Sequence, residues 1–424
     1  MDDRFRLDGP TAAALAEEFG TPLYVLGEAH LRNRMHAYKQ AAEAAYARAE
    51  VTYASKANST LAILKMAHSE GLKLDVASEG ELRAALAAGV PAADCHLHGN
   101  NKSAQELRFA LEQGVSHIVA DNLPELETIA TLSGGKETKI VLRLAPGVDP
   151  ITHAKISTGQ DDTKFGFNLA DGSAERAVDR CLALGLNLIG FHCHVGSQLV
   201  DPEAQRAAGE AIGSFALAML QRGVKTEYLN VGGGLGVRYT DADQPMAMDE
   251  YCRLVTQAVL EALGGALEPI IAQEPGRALV AESGVTLYQV GVVKEVPSPT
   301  VGRRTYACVD GGLSDNPRPA MYGSRYTVEV PGDQNSPKRT FTISGKHCET
   351  DQLFPDVSLP ENLAPGSLLQ VLCTGAYNAS MASNYNRFLR PATVLVRADG
   401  SFAVIQRRET WEELLGRETV PPGL

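Results

Sequence analysis

The sequence contains no C-x-x-C pair, no basic tract and no apolar run of membrane-spanning length, and each absence removes a class of protein. Its seven cysteines, at positions 95, 181, 193, 252, 308, 348 and 373, are scattered and odd in number, which fits reduced thiols rather than a disulfide framework or a structural zinc. A net charge of -12 with nothing basic to offset it argues against nucleic acid or an anionic membrane as partner. No stretch approaches about 18 uninterrupted apolar residues, and Met1-Asp2-Asp3-Arg4-Phe5 carries acids where a secretory signal would be apolar. His192-Cys193-His194 puts two imidazoles on one strand face, yet no H-E-x-x-H or clustered acid supplies further ligands, so no metal is expected. Repeats and low-complexity segments are missing too. The expectation is a soluble protein of the cytoplasm.

What is present is size and rhythm. With 424 residues, 44% of them hydrophobic, more than one core is expected. From about residue 50, short β-rich runs alternate with alanine- and leucine-rich helical ones, the strands falling near 51–56, 72–77, 94–98, 117–121, 139–145, 188–195, 226–232 and 269–273. Eight strand-helix units in about 250 residues are the size and beat of an α/β (β/α)8 barrel of the TIM type, spanning 30–285. Beyond it, strands follow without helices near 286–296, 305–310, 325–330, 339–344, 367–373, 392–397 and 401–408, separated by turns such as Pro331-Gly332-Asp333. A second, all-β domain, sandwich- or barrel-like, is therefore expected from 286–424, with a helical turn near its end at 409–415. Residues 1–29 join it, through a helix Thr11–Phe19, a Gly20 stop and a strand at 21–26.

Barrel enzymes keep their chemistry at the C-terminal ends of the strands, and polar residues gather there. Lys56 ends the first strand, Asp75 with Ser78 and Glu79 the second, His98-Gly99-Asn100-Asn101 the third, Asp121-Asn122 the fourth, and Arg143 lies near the end of the fifth. His194-Val195-Gly196-Ser197 ends the sixth, Gly232-Gly233-Gly234 the seventh and Glu274-Pro275-Gly276-Arg277 the eighth. Caps and turn residues also collect after strands, but eight in register favour one shared site. An amine held in a partly desolvated pocket is the nucleophile that captures a cofactor aldehyde; the plain alternative for Lys56 is a packed stem with its amine in solvent. Glycines after a strand let backbone N–H groups approach a phosphate, and a carboxylate such as Glu274 beside a pyridine nitrogen keeps it protonated. In the β domain, Asp310 to Gly323 is too rich in glycine and proline for regular structure and reads as a binding loop or a plain turn. Cys348, between His347 and Glu349, is either reactive or a small packed hydrophobe.

The ordered set Tyr53-Ala54-Ser55-Lys56-Ala57-Asn58, His192-Cys193-His194-Val195-Gly196-Ser197-Gln198, Gly232-Gly233-Gly234-Leu235-Gly236, Glu274-Pro275-Gly276-Arg277, Arg318-Pro319-Ala320-Met321-Tyr322, Cys348-Glu349 and Gly375-Ala376-Tyr377 resembles the diaminopimelate decarboxylase family over nearly the whole chain. That family belongs to the fold-type III, alanine-racemase-like decarboxylases that use pyridoxal 5'-phosphate. The resemblance implies a barrel plus a β domain, a homodimer with active sites at its interface, and conversion of meso-2,6-diaminopimelate to L-lysine and CO2, the last step of lysine biosynthesis. It implies Lys56 as the covalent anchor of the cofactor, with Asp75 nearby, His194 stacked on the ring and Glu274 on its nitrogen. Ser197, Gly233, Gly234, Gly276, Arg277 and Tyr377 would surround the cofactor, and Cys348, from the other subunit, would reprotonate Cα. Arg277, Arg318, Tyr322 and Tyr377 would receive the distal end of the substrate, with Glu349 on its ammonium. Two departures from the family pattern, Thr350-Asp351-Gln352 and Asn386 to Pro391, bear on fine specificity. A decarboxylase of ornithine, arginine or D-lysine would keep Lys56, His194 and Glu274 but favour an acid where Arg318 and Tyr322 stand. A non-catalytic relative would be expected to lose Lys56 or the Cys348-Glu349 pair.

Overall fold

Eight short strands, Ala49–Ala54, Lys73–Val76, Cys95–Leu97, His117–Ala120, Lys139–Ala145, Asn187–Cys193, Tyr228–Asn230 and Ile270–Gln273, pair in parallel in chain order in this computed structural model. The eighth pairs with the first, so the sheet closes and has no edge. The described residues are 3–134, 137–148, 162–350 and 352–424, so Asp351, one of the departures noted above, lies outside them. Each barrel strand begins and ends within two residues of its expected place, and a two-residue strand, Phe167–Asn168, adds beside Lys139–Ala145. The barrel helices are cut by side chains that satisfy their free N–H groups. Ser78 caps Glu79–Ala87, Ser103 and Glu106 form a capping box on Ala104–Gln113, and Asn122 caps Leu123–Ser133. Ser78 and Asn122, two of the polar residues at strand ends, thus serve as helix caps.

The chain divides into two compact units, Arg32–Val237 with Gln244–Leu279, which holds the barrel, and Met1–Leu31 with Arg238–Asp243 and Val280–Leu424. The second is built on a mixed nine-stranded sheet. Its spine is the long strand Gly284–Ser298, whose first half pairs with Leu23–Gly27 and Leu368–Leu372 and whose second half pairs with Gly302–Val309. Leu23–Gly27 in turn pairs with Ala392–Val396, so the early strand does belong to this sheet. Two elements here correct the sequence reading. Phe354–Pro360 is a strand that was not expected, because two prolines and Asp356 at φ 54 erase the alternation; it ends the sheet path, where an unpaired side tolerates proline. The stretch expected to be irregular contains a helix, Arg318–Tyr322, started by Pro317 and Pro319 and stopped by Gly323 at φ 62. All seven cysteines are unpaired. No helix among the described residues is long and apolar enough to cross a membrane.

Candidate active site

In the barrel unit, the first strand stops at Ala54 and Lys56 stands in the 3-10 turn Ser55–Ala57 beyond it. Ser55 Oγ, 2.6 Å from the Asp75 carbonyl and 2.8 Å from Glu81 Oε2, holds that turn to the second strand. The Lys56 amine reaches Asp75 Oδ2 at 2.9 Å, but its side chain is 45% exposed, so the expected desolvation falls on Asp75 and not on the lysine. The reason is topological: a residue in the turn projects over the mouth of the barrel, whereas one on the strand would point into its wall.

Glu274 lies buried at the end of the eighth strand, gripped from three directions. Its Oε1 is 2.9 Å from His98 Nε2 and accepts a 2.7 Å hydrogen bond from Asn230 Nδ2, and its Oε2 is 3.0 Å from His192 Nε2. Burial works to raise this carboxyl, but the contacts with His98 and His192 outweigh it and hold it well below the ordinary carboxylate range. Burial also pushes His192 down to about 4, so a neutral imidazole faces an anion at neutral pH. His192 is therefore a partner of Glu274 rather than a bystander in the core. His98, His192 and Glu274 are close enough together to ligate a cation; His192 Nε2 lies at hydrogen-bond distance from Glu274, whereas His98 Nε2, 2.9 Å from Oε1, makes an ion-pair contact without a well-directed hydrogen bond.

The glycines answer to their neighbours. A Cβ on Gly233 would sit 2.0 Å from the Glu274 carbonyl, one on Gly232 (φ 69) would strike the Cys193 carbonyl and the His194 ring, and Gly234 takes φ 139. Gly233 N–H makes a long 3.4 Å contact to His194 Nδ1. Burial, with Lys56 and Arg143 nearby, keeps the His194 ring well below its usual pKa and neutral. Gly276 has room only because it lacks a Cβ, which would lie 3.1 Å from Ala54 and Ala57. Arg277, buried one residue on, donates from Nε at 3.2 Å and from Nη2 at 2.9 Å to Ser197 Oγ.

In the other unit Arg318 opens its short helix and is buried. Its Nε donates to the Tyr326 hydroxyl at 2.8 Å and its Nη2 to Ser324 Oγ at 3.3 Å. The rings of Tyr239, Tyr322 and Tyr377 lie 5.6, 5.4 and 5.7 Å from its Cζ, and no carboxylate pairs with it among the described residues. Cys348 is exposed, its backbone N–H donating at 2.9 Å to Asn386 Oδ1, and Glu349 accepts a short hydrogen bond from Tyr385. The expected residues of this unit thus form two groups, Arg318 with Tyr322 and Tyr377, and Cys348 with Glu349. His98, Asn230, Tyr239 and Tyr326 were not assigned roles from sequence. His98 had the signal of a strand end; the others had none, since only closure of the sheets brings them in.

An exposed amine, a buried anion and a glycine turn after the seventh strand that admits no Cβ fit pyridoxal phosphate: amine for the aldehyde, Glu274 for the ring nitrogen, glycines for the phosphate. Fold and site together define a barrel enzyme of the pyridoxal-phosphate class. Residues 28–281 match the family described as pyridoxal-dependent decarboxylase, pyridoxal binding domain. The chain is 44% identical to a diaminopimelate decarboxylase of Bacillus subtilis, over 96% of this chain and 94% of that protein, and 36% identical to one of Staphylococcus aureus, over 97% of each. The crystal structure of diaminopimelate decarboxylase from M. jannaschii in complex with L-lysine superposes with a TM-score of 0.88 at 33% identity, covering 97% of this chain and 95% of that one. The chain belongs to the diaminopimelate decarboxylase family.

Proposed function

We propose that this chain decarboxylates meso-2,6-diaminopimelate to L-lysine and CO2, the last step of lysine biosynthesis, as a cytoplasmic homodimer. Arg318 carries the reading. A buried guanidinium with no acidic partner among the described residues is costly unless an anion arrives, and the hydroxyls of Tyr326 and Ser324 already aim its fork. The distal carboxylate of diaminopimelate, which lysine and ornithine lack, supplies that anion through charge-assisted hydrogen bonds.

Bound pyridoxal phosphate supplies the electron sink for the carbanion left by CO2. Lys56 would hold the cofactor through its amine, with Asp75 as counter-ion to that amine. Glu274 would hold a proton on the ring nitrogen, and neutral His194 would pack against the ring. Ser197, Gly233, Gly234, Gly276 and Tyr377 receive the phosphate end. Arg277 steadies Ser197 and, with Arg318 and Tyr322, meets the distal carboxylate, while Glu349 takes the distal ammonium. Cys348 of the partner subunit returns a proton to Cα. The test is CO2 release by the purified protein with pyridoxal phosphate and a panel of meso-diaminopimelate, L-lysine, D-lysine, ornithine and arginine. Diaminopimelate should be the only good substrate, and preference for any other would remove the role given to Arg318.

A further inference from the structure

The interior of a (β/α)8 barrel is ordinarily filled by branched apolar side chains. Here a line of polar groups runs through it. Tyr228 and Asn230 lie two apart on the seventh strand and share its inward face. Asn230 is wholly buried and oriented at both ends: Oδ1 accepts the Gly232 N–H at 2.8 Å, and Nδ2 donates to Glu274 Oε1 at 2.7 Å and to the Tyr228 hydroxyl at 3.3 Å. With its oxygen so engaged, Tyr228 turns its proton to Glu50 Oε1, 3.1 Å away.

Glu50 sits near the start of the first strand, its side chain 23% exposed, in a cleft of about 410 Å³ walled by Lys39, Arg48 and Lys73. The chain therefore joins a carboxylate at the C-terminal end of the barrel to one at its N-terminal end, with every donor accounted for. The rings of His96 and His117 lie 6.0 and 4.9 Å from that of Tyr228 and keep it from swinging aside. Burial pushes His96 down to about 3, and His117 down likewise, so neither brings a competing charge.

We propose that Asn230, Tyr228 and Glu50 are positioning residues for Glu274: the chain fixes the carboxylate under the cofactor ring, and Glu50 anchors it from the opposite end of the barrel. The inference rests on the reading that pyridoxal phosphate sits over Glu274 and extends it to residues that touch neither cofactor nor substrate. Tyr228 takes the second proton of the Asn230 amide and Glu50 fixes the direction of that hydroxyl, so loss of the far acceptor frees the amide to turn away from Glu274.

The test uses cofactor-free protein as wild type, Tyr228→Phe, Glu50→Gln and the double variant, each titrated with pyridoxal phosphate and then assayed. Tyr228→Phe should raise the Kd for pyridoxal phosphate about tenfold, the order of one hydrogen bond to a charged group. Glu50→Gln should shift it the same way by less, and the double variant should be no weaker than Tyr228→Phe, since both cut one chain. kcat should fall with KM unchanged, because Arg318 is untouched. Unchanged Kd in every variant, or effects that multiply in the double variant, would overturn the proposal. Glu50→Gln, at the partly exposed end, carries the test alone should Tyr228→Phe fail to fold. Wild type that binds pyridoxal phosphate yet ignores diaminopimelate would sink the substrate reading only, since the Kd is read without substrate.

Discussion

Lys56 and Asp75 form a 2.9 Å ion pair whose acid is buried and whose amine is open to solvent. Loss of the pair leaves a buried acid with His98 3.8 Å away. Lys56→Ala should abolish the absorption band of covalently held cofactor, its trapping by borohydride, and turnover. A Lys56→Ala protein that decarboxylates at the wild-type rate would take Lys56 out of the site.

Arg318 sets the choice of substrate. A site built for a polar group rejects analogues lacking it by about 10⁴-fold, so wild type should be nearly inert toward lysine and ornithine. Arg318→Lys cannot reproduce the planar fork aimed by Tyr326 and Ser324, and should lose kcat/KM for diaminopimelate while narrowing that gap. An undiminished ratio of the two substrates in Arg318→Lys would show that selection lies elsewhere.

Cys348 is exposed, as a proton donor reaching into a neighbouring subunit's site needs to be. Positioned acids contribute about 10²- to 10⁴-fold, so Cys348→Ala should lower kcat by that order with the cofactor still bound. Mixed with Lys56→Ala subunits it should regain part of the activity. No recovery in verified heterodimers would count against a shared site.

The glycine turn separates steric need from phosphate binding. Gly233→Ala drives a Cβ to 2.0 Å from the Glu274 carbonyl and Gly276→Ala only to 3.1 Å from its neighbours. The first should displace Glu274 and cost both thermal stability and cofactor affinity, whereas the second should cost affinity with a small change in Tm. Equal Tm losses would mean that the two turns are equally constrained.

Asp315, buried in the loop before Arg318, accepts from Gly312 N–H at 2.8 Å and from the Tyr288 hydroxyl, and burial pushes its carboxyl up to about 7. Folded protein then keeps a proton that unfolded chain releases near the ordinary aspartate value of about 4. The stability from this group is complete below about pH 4 and is lost, by up to about 1.4 kcal/mol per pH unit, as pH rises toward 7. Asp315→Asn should flatten that fall, measurable as denaturant unfolding near pH 5 and near pH 7. Parallel pH profiles for the two proteins would exclude Asp315 as the titrating group.

The barrel was legible in the sequence because its signal is local. Strand and helix periods, the caps at Ser78, Ser103 and Asn122, and the glycines after the seventh strand are each decided within a few residues of chain. Lys56, His194, Glu274 and the Cys348-Glu349 pair stood out likewise as short motifs in a fixed order. Local rules failed at Phe354–Pro360, where two prolines hide an edge strand, and at Arg318–Tyr322, where the same residue type starts a helix.

Only the tertiary structure decided what these residues touch. Glu274 takes His98 from the third strand, His192 from the sixth and Asn230 from the seventh, partners that sequence separation conceals and closure of the barrel imposes. Arg318 gains Tyr239, about 80 residues upstream, through folding of the β unit. Burial, and with it the anionic state of Glu274 and the neutral state of His192, belongs to the assembled barrel, because the dielectric around a side chain is set by everything packed against it and not by its neighbours in the chain.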